Sequence, residues 1–269
     1  AEIVGAIDKE VVVMNSLTVN LHLLMTTFYR PSGVRKKILI EKHAFPSDRY
    51  AVQSQLRFHE NDPNDDLIIL ESDEDEFIPM SIIMNYLEKY GEEIALVLLG
   101  GVNYYTGQAF DMAAITDIAQ SCGCRVGFDL AHAAGNLQLN LHDWGVDFAA
   151  WCGYKYLNGG PGAPSGVFIH ERHLGTTNLP RFEGWWGHDK STRFQMPDEF
   201  IPMETAEAWQ LSNPPIFSTA PLLASLEIFH EAGIENLRIK SEELTSYLED
   251  LLENELEDEI EIITPKSRK

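Results

Sequence analysis

Seven short apolar runs punctuate the chain, at residues 11–14, 37–41, 66–71, 94–100, 125–130, 148–153 and 166–170. Most are apolar throughout instead of alternating, as strands covered on both faces are. Between several of them, apolar positions recur at helical spacing, over 18–29, 46–56, 79–90 and 111–121. Pro46 and Pro79 suit first-turn positions, and Asp111 suits an N-terminal cap or first turn. Strand and helix in alternation predict an α/β fold, a mainly parallel seven-stranded sheet between helices. Ligands of such sheets sit at the carboxyl ends of the strands.

Beyond residue 170 the pattern changes. Gly184-Trp185-Trp186-Gly187-His188 and Ser212-Asn213-Pro214-Pro215 read as loops, followed by a helix over 221–232. A long acidic amphipathic helix over 234–257 then leads into Glu259-Ile260-Glu261-Ile262-Ile263-Thr264, which alternates like a strand. The expected division is a large domain over 1–232, with 233–269 as a connecting helix and the first strand of an incomplete small α+β domain. A start without methionine and a strand with nothing after it read as a piece of a longer chain. No internal repeat or low-complexity linker interrupts it.

At 269 residues and 44% hydrophobic, the chain can bury one large core or a domain and a half. Its 42 acidic and 20 basic side chains leave a net charge of −22. Such a surface repels phosphate backbones and anionic lipid, which argues against nucleic-acid and membrane-surface partners. The acidity gathers at 60–76 and 242–261, an exposed loop and the solvated face of a helix. Three cysteines, an odd number with no signal peptide, suggest a reducing cytoplasmic setting. Cys122, Cys124 and Cys152 read as packing residues. No apolar run approaches the roughly 20 residues that span a bilayer.

The chemistry concentrates at two strand ends. Arg125-Val126-Gly127-Phe128-Asp129-Leu130-Ala131-His132 ends an apolar run with a carboxylate and an imidazole. Trp151-Cys152-Gly153-Tyr154-Lys155-Tyr156 ends another with a lysine between two tyrosines, ahead of a glycine-rich turn. Taken singly, Lys155 could snorkel from a strand end and Asp129 could cap a helix. Taken together, an amine able to form a Schiff base and an acid able to pair with a pyridinium nitrogen are what a pyridoxal phosphate (PLP) enzyme needs. Asn15-Ser16-Leu17-Thr18 opens a helix with free N–H groups and a hydroxyl, either a simple cap or an anion cradle. Phe45, with Ser47 and Asp48 close behind, could hold a flat heterocycle or merely pack.

Phe45-Pro46-Ser47-Asp48, Gly127-Phe128-Asp129-Leu130-Ala131-His132, Leu141-His142-Asp143-Trp144-Gly145-Val146-Asp147-Phe148-Ala149, Tyr154-Lys155-Tyr156-Leu157-Asn158 and Ser212-Asn213-Pro214-Pro215 together resemble the kynureninase family. The similarity runs over essentially the whole chain, from about Ile3 to Thr264. It implies the large domain of PLP fold type I and hydrolysis of kynurenine or 3-hydroxykynurenine to an anthranilate and alanine, in a homodimer. It further implies that Lys155 is the Schiff-base lysine, that Asp129 partners the pyridine nitrogen and that Phe45 stacks on the ring. Leu17 and Thr18 would hold the phosphate, with the Tyr154 hydroxyl, and Tyr154 would also serve as proton donor. Asp48 and His132 would line the cofactor pocket, as would Trp185 and Asn213, these two reaching a neighbouring subunit's site. Two features depart from the family. Gly100 stands where a serine can occur, and Arg49, Arg181 and Arg193 match no carboxylate-gripping arginine, which the family carries in its small domain. The rival expectations are another fold type I enzyme, such as a cysteine desulfurase or class V aminotransferase, and a catalytically silent fragment.

Other lookalikes carry less. His170-Glu171-Arg172-His173 follows a strand and lacks the HExxH pattern of a zinc site, and Gly159-Gly160-Pro161-Gly162 lacks the lysine and hydroxyl of a nucleotide loop. His142-Asp143 has no nucleophile motif beside it. Trp185-Trp186 suits either a stacking platform or an interface anchor.

Overall fold

The computed structural model describes residues 1–269 except 75, 177, 257–258 and 267–269. In chain order the elements are β1 (Val11–Met14), α1 (Leu17–Phe28), β2 (Lys37–Glu41), α2 (Pro46–Phe58), α3 (Pro63–Asp66), β3 (Leu67–Leu70), α4 (Met80–Tyr90) and β4 (Ile94–Gly100). There follow α5 (Met112–Ser121), β5 (Arg125–Asp129), β6 (Phe148–Trp151), β7 (Ser165–Ile169), α6 (Ile216–Ala232) and α7 (Ile234–Leu256). The strands form one sheet in the order β1-β7-β6-β5-β4-β2-β3. Only β7 runs against its neighbours, β1 and β6. The other strands share one direction, so six carboxyl ends face the same edge. This is the mainly parallel seven-stranded sheet that the pattern predicts.

Burial explains why the strands do not alternate. Val97 and Leu99 of β4 join a core with α4, α5 and the Leu222–Phe229 face of α6. Leu96 and Leu98 point the other way, into a core with Leu21, Leu24 and Phe28 of α1 and Val52 and Leu56 of α2. Each apolar strand residue therefore has a helix layer to meet, whichever face it takes. Pro46 sits in the first turn of α2, and Asp111 caps α5 by accepting the Ala114 N–H at 3.0 Å. Among the described residues, no helix is long and apolar enough to cross a membrane.

Three expectations need correction. Pro79 is not in the first turn of α4 but precedes it as the extended N-cap. Pro221 does not begin α6, which starts at Ile216 and carries the proline inside. The carbonyl that Pro221 leaves without its usual helical donor belongs to Phe217, on an exposed turn where water can reach it. Finally, 259–264 is not a strand. Alternation marks a two-faced segment, but a strand also needs a ladder partner, and none pairs with it among the described residues. The preceding α7 has no buried residue, and its expected end at 257 lies outside the described residues.

Candidate active site

Five of the six like-directed strand ends deliver the site, and each brings one part of it. Ser16, Leu17 and Thr18 follow β1; Glu41, Phe45 and Asp48 follow or end β2; Gly100, Val102 and Tyr104 follow or end β4; Asp129, Ala131 and His132 follow or end β5; Cys152, Tyr154 and Lys155 follow β6. They enclose one cavity of about 200 Å³. Reversed β7 contributes nothing to its lining, as its direction requires.

Lys155 Nζ lies 3.0 Å from His132 Nε2 and 5.6 Å from the centre of the Phe45 ring. Burial, and then the neighbouring Lys155 charge, hold the His132 imidazole below its ordinary pKa. A neutral imidazole can accept a proton of the Lys155 ammonium. Phe45 meets Tyr104 edge-on at 5.4 Å, so one aromatic wall has a fixed plane.

Two aspartates also line the cavity. Asp129 and Asp48 are both buried, 6% and 8% exposed, and close enough to share a hydrogen bond. Asp129 Oδ1 accepts the Ala131 N–H at 2.7 Å, whereas Asp48 Oδ1 has no partner. Burial drives both carboxyls above the ordinary range, and each other's charge adds to it for Asp48. Two adjoining buried acids, one with an orphaned oxygen, fit a ligand that brings a protonated ring nitrogen and a hydroxyl.

At the third side two helix N-termini converge. Ser16 caps α1 without a side-chain bond, and Thr18 Oγ1 lies 2.8 Å from Ser47 Oγ in the first turn of α2. Free first-turn N–H groups, two hydroxyls and two helix dipoles suit an anion. Tyr154 stands half in solvent at the mouth. A hydrogen bond with Cys152 is the main reason its hydroxyl is pushed up to about 12. It therefore stays protonated at neutral pH and able to donate.

Eight of the ten residues expected at a cofactor site come together: Leu17, Thr18, Phe45, Asp48, Asp129, His132, Tyr154 and Lys155. Trp185 and Asn213 do not line this cavity. Trp185 packs edge-on against Phe194 beside a separate groove, and Asn213 is exposed. Sequence reasoning missed Glu41 and Tyr104, and it took Cys152 for packing although its buried thiol belongs to the cavity wall. Only the β-run that ends at Glu41 hinted at it, since a carboxylate finishing an apolar strand needs a reason.

The lookalike imidazoles resolve differently. His142 and His170 meet on buried Glu10, their Nδ1 atoms 2.9 and 3.7 Å from Oε1. That group follows the end of reversed β7, at the sheet edge away from the cavity. Its atoms are engaged: Glu10 also accepts the Glu171 and Ile7 N–H groups, and His170 Nδ1 accepts that of Arg172. It reads as a brace of the N-terminal segment. His173 turns instead to Asp147, 2.7 Å away.

A profile described as "Aminotransferase class-V" matches residues 1–269. The chain belongs to the aminotransferase class-V family. Among curated proteins, this class-V chain is 60% identical to a kynureninase of Myxococcus xanthus, covering 100% of the chain and 63% of that protein. It is 54% identical to a kynureninase of Flavobacterium johnsoniae, covering 99% and 64%. The chain thus spans less than two thirds of the length of the curated relatives it matches. Its fold matches a cysteine desulfurase from Thermococcus onnurineus with a TM-score of 0.74 at 20% identity, over 94% of this chain and 60% of that one. An alanine–glyoxylate aminotransferase from Nostoc is similar, with a TM-score of 0.67 at 14% identity, over 94% and 62%. Likeness at that identity belongs to the class-V fold, whereas the 54–60% relatives match along nearly the whole of this chain.

Proposed function

We propose that the protein containing this chain is a PLP-dependent hydrolase of L-kynurenine or 3-hydroxykynurenine, adding water across the Cβ–Cγ bond to release an anthranilate and L-alanine. The observation that carries this reading is the single cavity in which Lys155, Asp129, Phe45 and the N-terminus of α1 converge. Identity to proteins named kynureninase, 60% in one case, supports the choice of substrate.

PLP, when bound, supplies a conjugated ring able to accept the electron pair released at the substrate's α-carbon. Lys155 would hold its aldehyde carbon and later move the α-proton at Nζ, with His132 taking or returning a proton 3.0 Å away. Asp129 would keep the ring nitrogen protonated through a charge-assisted hydrogen bond, and Asp48 would offer its orphaned oxygen beside it. Phe45 would stack on the ring, while Leu17, Thr18 and Tyr154 would hold the phosphate. The Tyr154 hydroxyl, protonated at neutral pH, would donate a proton to the leaving fragment.

The test is the full-length protein with PLP, followed by anthranilate fluorescence on adding kynurenine. Turnover with a cofactor band that responds to kynurenine is expected; sulfur release from cysteine without anthranilate would replace the reading with a desulfurase. Asp129→Asn should still bind PLP but lose about 10- to 100-fold in turnover, the value of one charge-assisted hydrogen bond. Near-normal turnover would remove that role from Asp129.

The site is read as completed in a homodimer, with Trp185 and Asn213 facing the neighbouring subunit's cavity. Trp185 is 41% exposed, and α6 and α7 carry exposed Phe217, Ile228 and Tyr247, apolar surface that asks for cover. Analytical ultracentrifugation of the full-length protein should give a dimer; a fully active monomer would refute it. The division at residue 232 into a large domain and the start of a small one rests on the same resemblance.

A further inference from the structure

One acid in the cavity wall has no part in the roles above. Glu41 closes β2, and β4 separates β2 from β5 in the sheet. The last residue of β4 is Gly100, paired in register with Asp129. Because Gly100 has no side chain, the Glu41 carboxyl can lie across the end of β4. Its Oε1 accepts the Gly100 N–H at 3.1 Å, and a Cβ on Gly100 would stand 3.0 Å from that oxygen and 3.3 Å from the Val102 carbonyl. The next N–H, of Gly101, donates to the Asp129 carbonyl at 2.7 Å. Two consecutive peptide groups thus connect the Glu41 side chain to the backbone of Asp129.

Among the described residues, no cation pairs with this buried acid. Glu41 is 5% exposed, and the cations next to it in sequence, Lys42 and His43, turn away to Glu76. Burial pushes its carboxyl up to about 7 even though its own N–H and then the Gly100 N–H favour the charged form. A buried carboxyl with no cation beside it is costly, so its hydrogen bonds to the backbone are what hold it in the wall.

We propose that Glu41 is a positioning residue for Asp129: lying across side-chain-free Gly100, it clamps the end of β4 and so sets where Asp129 meets the ring nitrogen of the cofactor. Glu41 and Gly100 form a matched pair, in which the carboxyl occupies the room that a side chain at position 100 would need. This rests on the PLP reading above.

The experiment is a double-mutant cycle on the full-length protein, with PLP affinity read by quenching of tryptophan fluorescence and by the spectrum of bound cofactor. Glu41→Ala strands a buried N–H and should weaken PLP binding about tenfold. Gly100→Val adds branched apolar carbons beyond a Cβ that already stands 3.0 Å from the carboxyl oxygen and should cost a similar factor of about ten. The double variant should recover to within about threefold of wild type, since the space vacated by one change accepts the other. Glu41→Gln keeps an oxygen for the Gly100 N–H and should restore both affinity and spectrum. Penalties that simply multiply in the double variant, or Glu41→Ala binding as wild type does, would overturn the pairing and leave the functional reading intact. Failure of the wild type to take up PLP would overturn the functional reading, and this inference with it. Melting temperatures of the four cofactor-free proteins separate the cases, because the steric coupling between positions 41 and 100 should appear there regardless of cofactor.

Discussion

Lys155→Ala is expected to lower kynurenine turnover by on the order of 10,000-fold, the upper end of what a single acid–base group contributes. The size follows from two tasks falling on one nitrogen. In the cavity, Nζ is the amine beside both the aromatic wall of Phe45 and the neutral imidazole of His132. It would both hold the cofactor's aldehyde carbon and carry the substrate's α-proton, and His132 cannot replace it in the first task. PLP binding should fall far less than turnover, because Thr18, Phe45, Asp48, Asp129 and Tyr154 line the cavity independently of Lys155. Steady-state anthranilate release measures the first effect and equilibrium dialysis of PLP the second. In the unmodified protein, borohydride reduction followed by peptide mapping should find the pyridoxyl group on Lys155. A label on another lysine, or a variant with a tenth or more of normal activity, would sink the assignment.

The largest stability effect should come from Asp147, remote from the cavity. Fully buried, it receives Arg172 at 2.8 Å, His173 at 2.7 Å and Arg125 at 3.1 Å on one oxygen, and the Val126 N–H at 2.8 Å on the other. Burial alone would raise its pKa, yet the bonds from His173, Arg172 and Val126 together outweigh it and hold the carboxyl well below the usual range. Asp147→Ala takes the carboxylate from the buried Val126 N–H, His173 and both arginines and should cost on the order of 3–5 kcal/mol, towards the lower end because both arginines are partly in water and Arg172 keeps the Gly145 carbonyl. Asp147→Asn keeps one acceptor for Val126 and should lose less. Urea denaturation at neutral pH measures both. A group with a depressed folded pKa lends its stability above the unfolded carboxylate pKa, near 3.9, and loses it as pH falls towards the folded value. The wild type should therefore weaken as pH drops below about 4, and the alanine variant should show a shallower fall over that range. Equal acid sensitivity of the two proteins would show that Asp147 is not the group responsible.

Much of the sheet could be read from composition alone because both of its faces are covered. A strand such as β4, with Leu96 and Leu98 in one core and Val97 and Leu99 in the other, has to be apolar at every position, and that run is visible without coordinates. The reading failed where a partner decides the outcome. Residues 259–264 alternate as a strand should, but alternation does not supply a neighbouring ladder. Pro221 marks a helix start by propensity, yet α6 extends back to Ile216, because an exposed first turn tolerates one carbonyl without its helical donor.

For the site, the division is sharper. Asp129 and Lys155 were legible because each follows its own apolar strand, and strand direction in a parallel sheet sends both to one edge. Leu17, Phe45 and Tyr154 were legible through neighbouring residues that resemble one family. Residue types and order along the chain thus determined the α/β fold, the edge that carries the site and the chemistry available there. Only the tertiary structure decided that Asp48 presses against Asp129, that Cys152 meets Tyr154 and that His142 and His170 gather on Glu10. Glu41 is the plainest case. Its significance depends on an absent Cβ 59 residues away on the adjacent strand, a relation between side-chain volumes that no local pattern can encode.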